Sequence, residues 1–326
     1  MTRLNPYWGA DFWEFLGQFF HRMSQWISGQ IGIEQLASDE IQVIVLSLIG
    51  ISSVLTGSFL VLKRMTMLAN ALSHTILLGI IIAYVGAQAV FPEGGASLSL
   101  PLLLLASLVT ACLTALLTQG LTQGMRLQED ASIGLVFTTL FALGIVFATC
   151  FTRSSHIGIE AVMGNADALH WHDLKLAFWI AGINALLIGV LFKEFKFVTF
   201  DAGFARSVGI SVSLFNYLFM MMTATTAVSA FRAVGVLLLL AFLVAPVLTA
   251  RLYTSRLKPM IGLGVAIVVV ASLLAVGLSR HLLSVYQLPL STAGLLVVLL
   301  GLIYFGSLAF RLWKGCGKIA EPKKVL

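Results

Sequence analysis

The chain alternates between long runs of uncharged, mostly apolar residues and short clusters of charge. A helix needs roughly 20 residues to cross a bilayer core of about 30 Å, and most of the runs are near that length. The block 207–250 is about twice as long, so it predicts two spans joined by a tight turn at Phe231-Arg232-Ala233. The predicted spans are 41–62, 65–92, 94–125, 131–152, 176–192, 207–231, 233–250, 259–279 and 282–310. Because 176–192 is short, the pattern predicts eight or nine transmembrane helices in an all-α, polytopic bundle.

The composition excludes a soluble domain. Apolar residues make up 59% of the 326 residues and charged residues only 10%, with a mean hydropathy of +0.99. Soluble domains carry about 25% charged residues, so we expect an integral membrane protein. The N-terminus does not read as a secretory signal, because Asp11 and Glu14 interrupt it and no basic region leads into an apolar core.

Motifs of several enzyme classes are absent from the sequence. There is no GxxxxGK[ST] phosphate-binding loop, so we do not expect this chain to hydrolyse ATP itself. The lack of HExxH and GxSxG weakens a membrane-protease interpretation. Cys112, Cys150 and Cys316 are scattered without a CxxC pair, which argues against a disulfide framework, a thiolate metal site or a redox role.

Lys and Arg are distributed unequally between the two sets of loops. If Lys63-Arg64 is cytoplasmic, 14 of the 20 Lys and Arg residues lie on the same side. Cytoplasmic loops are enriched in these residues, so the N-terminus is predicted outside and the C-terminus in the cytoplasm. The outer side is then acidic and rich in histidine, which attracts cations. A simple lack of Lys and Arg outside accounts for the same pattern without any function.

Three segments follow from these patterns. Residues 1–40, rich in aromatic side chains mixed with charge, predict a helix at the membrane interface with Trp and Phe at headgroup depth. Residues 41–312 form the transmembrane domain, with a cytoplasmic segment at about 196–211. Residues 313–326 form a cytoplasmic tail.

Polar residues inside a predicted span are the first candidate site. Asn70 and His74 are four residues apart, so their side chains project from one helix face, and Ser73 lies beside them. Intramembrane polar groups usually face a bundle interior or a watery cavity, and imidazole and amide oxygen can both coordinate a divalent metal ion. A hydrogen bond between helices is the structural alternative.

The loop RSSHIGIEAVMGNADALHWHDL is the second candidate site. His156 and Glu160 are four residues apart, and His170, His172 and Asp173 lie close together before the next span. Several nitrogen and oxygen ligands in one outer loop could collect a transition metal ion. A polar loop that carries a helix cap is the alternative.

The cytoplasmic segment KEFKFVTFDAGFARSVGISVSLF is the third candidate. Asp201 can cap a short helix that begins near Ala202, and Gly209 can end it. Such a helix, with Phe204 and Val208 on its apolar face, suits docking into a groove on another protein. A helix resting on lipid is the alternative.

Four stretches in chain order resemble blocks of a known transporter family. They are GSFLVLKRMTMLANALSHTILLG, EDASIGLVFTTLFALGIVF, FKFVTFDAGFARSVGI and AVGVLLLLAFLVAPVLTARL, with Gly164-Asn165 in an outer loop between the second and the third. The first resembles a family signature in which a basic turn precedes a GDALSHAVLPG-like stretch, and the third resembles an FDPEFARALG-like cytoplasmic segment. From about residue 41 to 310, the chain resembles the ABC-3 permeases, the membrane subunits of ABC transporters that import manganese, zinc or iron.

The resemblance implies a permease that pairs with a second permease around a translocation path in a bacterial cytoplasmic (inner) membrane. It also implies cytoplasmic ATPase subunits that use ATP, and an extracytoplasmic metal-binding protein that delivers the divalent ion. The metal is cargo, so no permanently bound cofactor is expected, and no nucleic acid is expected as a partner. The predicted coupling surface for the ATPase consists of Phe200, Asp201, Phe204, Arg206 and Gly209.

The resemblance also places the Asp and His of the DALSH-like motif in the metal path. His74 matches the His, but Asn70 stands at the Asp position, and Leu78 replaces the proline before Gly79. A neutral amide binds a dication less well than a carboxylate. A different permease partner could supply the carboxylate, which favours a heterodimer over a homodimer. Altered metal preference would also account for the asparagine, as would a position that is less essential for transport.

We therefore predict His74 as a metal ligand, Asn70 as a weaker or orienting ligand and Ser73 as their support. An outer vestibule is predicted at His156, Glu160, His170 and His172. The predicted function is the non-enzymatic permease subunit of an ATP-driven importer of manganese, zinc or iron. The alternatives are an ion-coupled secondary metal transporter, an ABC permease for a metal chelate, and a membrane-embedded enzyme or assembly scaffold.

Overall fold

The computed structural model describes residues 6–32, 35–67, 71, 74–75, 78–79, 81–83, 85–86, 100–147, 149–150 and 166–314. Across these residues the chain is helical, with no strand, and the predicted all-α fold is confirmed. The helices are α1 (Phe12–Ile27), α2 (Ser38–Leu62), α3 (Leu100–Gly124), α4 (Glu129–Phe147), α5 (Trp171–Val190), α6 (Phe192–Phe200), α7 (Ala202–Ser207), α8 (Val212–Tyr253), α9 (Leu257–Tyr286) and α10 (Thr292–Lys314). The described residues between 66 and 86 are mainly helical too and are called the His74 segment.

One end of the bundle, called the Lys63 end, gathers the C-terminal end of α2 with the start of α6, α8 and α9. The Lys63 side chain donates a hydrogen bond to Asn216 Oδ1. The rings of Phe59 and Phe192 lie 6.3 Å apart, and Lys258 Nζ lies 5.4 Å from the centre of the Phe192 ring. Three loops that the charge pattern assigns to one side of the membrane therefore meet in space.

The opposite end, called the Asp39 end, gathers the start of α2, the C-terminal part of α9 and the start of α10. The Arg280 guanidinium donates to Asp39 Oδ1 at 2.6 Å. The carboxylate of Asp167, in a 3-10 turn at Ala166–Ala168, accepts from Thr292 Oγ1 at 2.6 Å. Both α2 and α9 therefore run the whole way between the two ends.

The helix α8 reverses direction in its middle. A straight helix rises about 1.5 Å per residue, so 42 residues would carry its C-terminus far from its start. Yet Phe219, in the first half of α8, and Lys258, just after its C-terminus, both lie at the Lys63 end. The side chains of both residues approach the Phe59–Phe192 pair. The break is at Gly235, with φ 73° and ψ 173°. The sequence prediction placed this turn slightly too early, at 231–233.

The described helices follow the apolar runs of the sequence. By length and composition, six of the described helical segments can cross a membrane, and Leu108–Thr122 and Leu238–Tyr253 are shorter apolar helices. Each of these helices overlaps at least one predicted run, the described helical residues of the His74 segment fall in the run 65–92, and the run 176–192 corresponds to the 20-residue helix α5. The chain is a multi-pass membrane protein.

The helix α2 lies at the centre of the bundle, against α5, α8 and α9. Two glycines allow close approach: a Cβ at Gly57 would lie 3.0 Å from Leu243 Cα, and a Cβ at Gly50 would overlap the Val268 side chain. Small residues at helix contacts are the usual means of tight packing in membranes.

The helix α1 is attached to the Asp39 end through the buried carboxylate of Glu40. This carboxylate accepts hydrogen bonds from the Tyr7 hydroxyl at 2.6 Å, from Arg22 Nε and from the Ala37 N–H at 2.8 Å. Burial, and then the hydrogen bond to Glu40, raise the pKa of Tyr7 above its usual value, so the phenol stays protonated and keeps donating. The N-terminal segment is therefore a docked part of the fold.

Candidate functional site

His74 lies on the His74 segment with its imidazole directed toward α4. The ring centre is 5.4 Å from that of Phe137 and 5.1 Å from that of Phe141. The side chain is half-buried, and its Nδ1 is buried without a hydrogen-bond partner among the described residues. An intramembrane imidazole with an unsatisfied nitrogen is costly. No described residue of a neighbouring helix forms the hydrogen bond to this nitrogen that the structural alternative would require.

Two contacts with α3, made by Thr75 and Gly79, fix the position of the His74 segment in the bundle. The Thr114 hydroxyl of α3 donates to Thr75 Oγ1 at 3.0 Å, and both side chains are fully buried. At Gly79, a Cβ would come within 2.7 Å of the Ala106 carbonyl oxygen of α3. This close approach requires glycine, so α3 and the His74 segment pack with their backbones nearly touching. The position of the imidazole is thereby set by α3 as well as by the rings of α4.

Several predicted site residues lie outside the described residues. These are Asn70 and Ser73 beside His74, and His156 and Glu160 in the outer loop. Their predicted roles stay predictions.

The described half of the outer loop forms a helix start. The His170 N–H donates to Asp173 Oδ2 at 3.0 Å, so Asp173 helps to cap the start of α5. A helix cap in this loop was the alternative to a metal site. The His172 side chain is exposed and its ring lies 3.9 Å from that of Trp171. Within the described part of the chain, no group of three or more His, Cys, Asp or Glu side chains converges to hold a metal ion.

The predicted cytoplasmic helix is present as α7 at the Lys63 end. The Asp201 carboxylate accepts from the Phe204 N–H at 2.8 Å, and Gly209, with φ +84°, follows the helix end. The buried Ala205 packs inward, whereas Phe204 and Val208, and Phe200 at the end of α6, are exposed apolar side chains. Arg206 lies in the last turn. The result is an ordered, outward-facing apolar ridge where the sequence predicted a docking surface.

A buried polar network in the middle of the bundle was not predicted from the sequence. Asn184 of α5 donates to Ser52 Oγ of α2 at 2.7 Å and to Thr226 Oγ1 of α8 at 2.8 Å. All three side chains are at most 1% exposed. The sequence signal for it was a single asparagine within the apolar run WIAGINALLIGV, and such residues usually join helices.

The comparisons with known proteins agree with this architecture. The sequence profile of the ABC 3 transport family matches residues 40–311. A probable metal transport system membrane protein of Chlamydia muridarum (strain MoPn / Nigg) is 40% identical over 306 residues, 94% of this chain and 94% of that protein. The manganese transport system membrane protein MntD of Bacillus subtilis (strain 168) is 36% identical over 230 residues, 66% of this chain and 74% of that protein.

A solved structure shares the fold. One chain of PsaBC from Streptococcus pneumoniae in complex with Fab superposes with a TM-score of 0.68 at 22% sequence identity. The match covers 90% of this chain and 99% of that one.

Proposed function

Since the chain belongs to the ABC 3 transport family, we propose that it is the membrane permease subunit of an ATP-driven importer of divalent transition metal ions. Manganese is the first candidate cargo, because relatives in Bacillus and Listeria are named manganese transport proteins. Zinc and iron are the alternatives that the ligand chemistry allows.

The observation that supports the proposal is the environment of His74. Its Nδ1 is buried in an apolar bundle without a partner among the described residues. Neutral imidazole is a ligand for divalent metal ions such as manganese, zinc and iron. A transient metal ion, with further ligands from Asn70 and from a second permease, would satisfy this nitrogen. Ser73 would support Asn70 and His74, and His156, Glu160, His170 and His172 would collect ions at the outer vestibule.

The second permease is proposed to be a different chain. Asn70 cannot offset the charge of a dication, so a partner that supplies a carboxylate would complete the site. Uptake by two copies of this chain alone, at the rate found with a second permease, would contradict the heterodimer.

The ATPase is proposed to bind the apolar ridge of Phe200, Phe204 and Val208. The ridge is exposed at the Lys63 end, which is the end predicted to face the cytoplasm. The cap at Asp201 and the turn at Gly209 hold the helix in one orientation. Movement of the ATPase pair would then reach α8, which begins directly after this helix.

The N-terminal helix α1 is proposed to lie at the outer membrane interface. Trp13, Phe20 and Ile27 are all at least 60% exposed on a helix that is otherwise anchored by Glu40. Aromatic side chains are enriched at headgroup depth.

The test is manganese uptake into proteoliposomes that contain this chain with its candidate ATPase, second permease and metal-binding protein. Uptake that requires ATP and the ATPase is expected. Uptake that persists without any ATPase and follows a proton or sodium gradient would identify an ion-coupled transporter. Absence of uptake for free ions, with uptake of a chelate, would identify a chelate permease.

A further inference from the structure

A cavity of about 430 Å³ opens at the Asp39 end. Its walls come from α2, α9, the start of α10, the 3-10 turn and the segment before α1, and they include Trp8, Gln42, Asp167, Arg280, Leu290 and Thr292. None of its lining residues belongs to α3, α4 or the His74 segment. The cavity is therefore separate from the proposed metal path.

The cavity carries one negative charge that no described cation neutralises. Asp39 is paired with Arg280. The exposed Asp167 is held in place by neutral donors: its Oδ1 accepts from Gln42 Nε2 at 2.9 Å and from Thr292 Oγ1 at 2.6 Å. Within the part of the chain that the structure describes, Asp167 forms no ion pair and its Oδ2 accepts no hydrogen bond. The walls thus present a fixed, unpaired carboxylate oxygen.

The edge of the cavity carries an exposed indole. Trp8 is 77% exposed and lines the cavity together with Asp167. It precedes the residues that match the family profile, which begin at residue 40. The adjacent residue, Tyr7, is held on the bundle by its hydrogen bond to Glu40. An indole face attracts organic cations such as guanidinium and ammonium.

We propose that this cavity receives a Lys or Arg side chain of the extracytoplasmic metal-binding protein when that protein docks. The inference rests on the proposed function, which supplies this partner. A bare metal ion is a poorer occupant, because the cavity is over ten times the roughly 30 Å³ of one water molecule and offers a single unpaired carboxylate. The side chain would extend over Trp8 and place its cationic head at Asp167.

The experiment measures binding of the metal-binding protein to the whole transporter in lipid nanodiscs. The two test variants are Asp167→Asn, which keeps the Oδ1 acceptor but loses the charge, and Trp8→Ala. The matched control is Trp13→Ala, since Trp13 lies five residues further along, on α1, and is 80% exposed but does not line the cavity. Each test variant is expected to raise the dissociation constant about tenfold, with a weaker salt dependence for Asp167→Asn. Trp13→Ala is expected to bind as the unchanged protein does.

The second arm replaces each surface Lys and Arg of the metal-binding protein by Gln. One replacement is expected to weaken binding to the unchanged transporter and to have no further effect on Asp167→Asn. Normal binding of the metal-binding protein by Asp167→Asn and Trp8→Ala would overturn the docking proposal. If the unchanged transporter still shows ATP-driven uptake, the proposed function stands. Failure of the unchanged transporter both to bind the protein and to take up metal would overturn the two together. Saturable binding of N-acetyl-arginine amide, without any effect of the variants on the protein partner, would assign the cavity to a free cation and overturn the docking role.

Discussion

At the residue scale, the position of His74 depends on a glycine about one and a half turns along its helix. Because a Cβ at Gly79 would approach the Ala106 carbonyl oxygen to 2.7 Å, Gly79→Ala is expected to push the His74 segment away from α3. The imidazole would move with it, and manganese uptake in proteoliposomes should fall about tenfold, since small misplacements of a ligand cost that much or more.

The matched control for this change is Gly182→Ala. Gly182 lies in the span α5, and nothing lies within 4 Å of a Cβ built there. Uptake by this variant should be unchanged. Equal rates for Gly79→Ala and Gly182→Ala would show that the close approach of the His74 segment to α3 does not position the imidazole.

The residue scale also shows what a sequence can and cannot predict about polar groups in a membrane. The spacing of Asn70 and His74 marked a candidate position, because intramembrane polar groups are costly. The same reasoning applies to Asn184, whose role differs: its amide is satisfied by Ser52 and Thr226. Spacing along one helix cannot distinguish these cases, since the partners of Asn184 lie 132 and 42 residues away.

At the scale of elements, the cap that stabilises α7 can be tested separately from the charge of the residue that forms it. Asp201→Ala removes the cap on the Phe204 N–H and should destabilise this short helix by about 1 kcal/mol, whereas Asp201→Asn should retain the cap. We expect ATPase activity of the assembled transporter to become less coupled to metal uptake in Asp201→Ala and to stay coupled in Asp201→Asn. The ratio of metal transported to ATP hydrolysed measures this directly. Loss of coupling in both variants would assign the effect to the charge of Asp201 instead of the cap.

The elements themselves could largely be predicted from the sequence, because uncharged runs of about 20 residues have one stable form in a bilayer. The turn within α8 was the exception. The residues around it are apolar on both sides, so the charge at Arg232 was the only guide to its place. The chain turns at Gly235 because a φ of 73° with ψ near 173° is a conformation that glycine alone adopts readily.

At the scale of the whole molecule, the two ends of the bundle give a topology prediction. The excess of Lys and Arg predicts that the Lys63 end lies in the cytoplasm and the Asp39 end outside. In a variant without native cysteines, a membrane-impermeant maleimide should label Glu14→Cys in intact cells and Lys193→Cys only after permeabilisation. Both sites are exposed in the structure and lie near opposite ends. The reverse labelling pattern would invert the topology and place the apolar ridge of α7 on the wrong side for an ATPase.

Transport as proposed requires that His74 faces a metal path and does not only pack against its neighbours. The most direct measurement is ATP-driven manganese uptake by His74→Ala, with His21→Ala as the control, since His21 is an exposed histidine on α1 bonded to Gln25. We predict that His74→Ala keeps its thermal stability and ATPase binding but loses at least about tenfold in uptake rate, while His21→Ala transports normally. Normal uptake by His74→Ala would contradict the account.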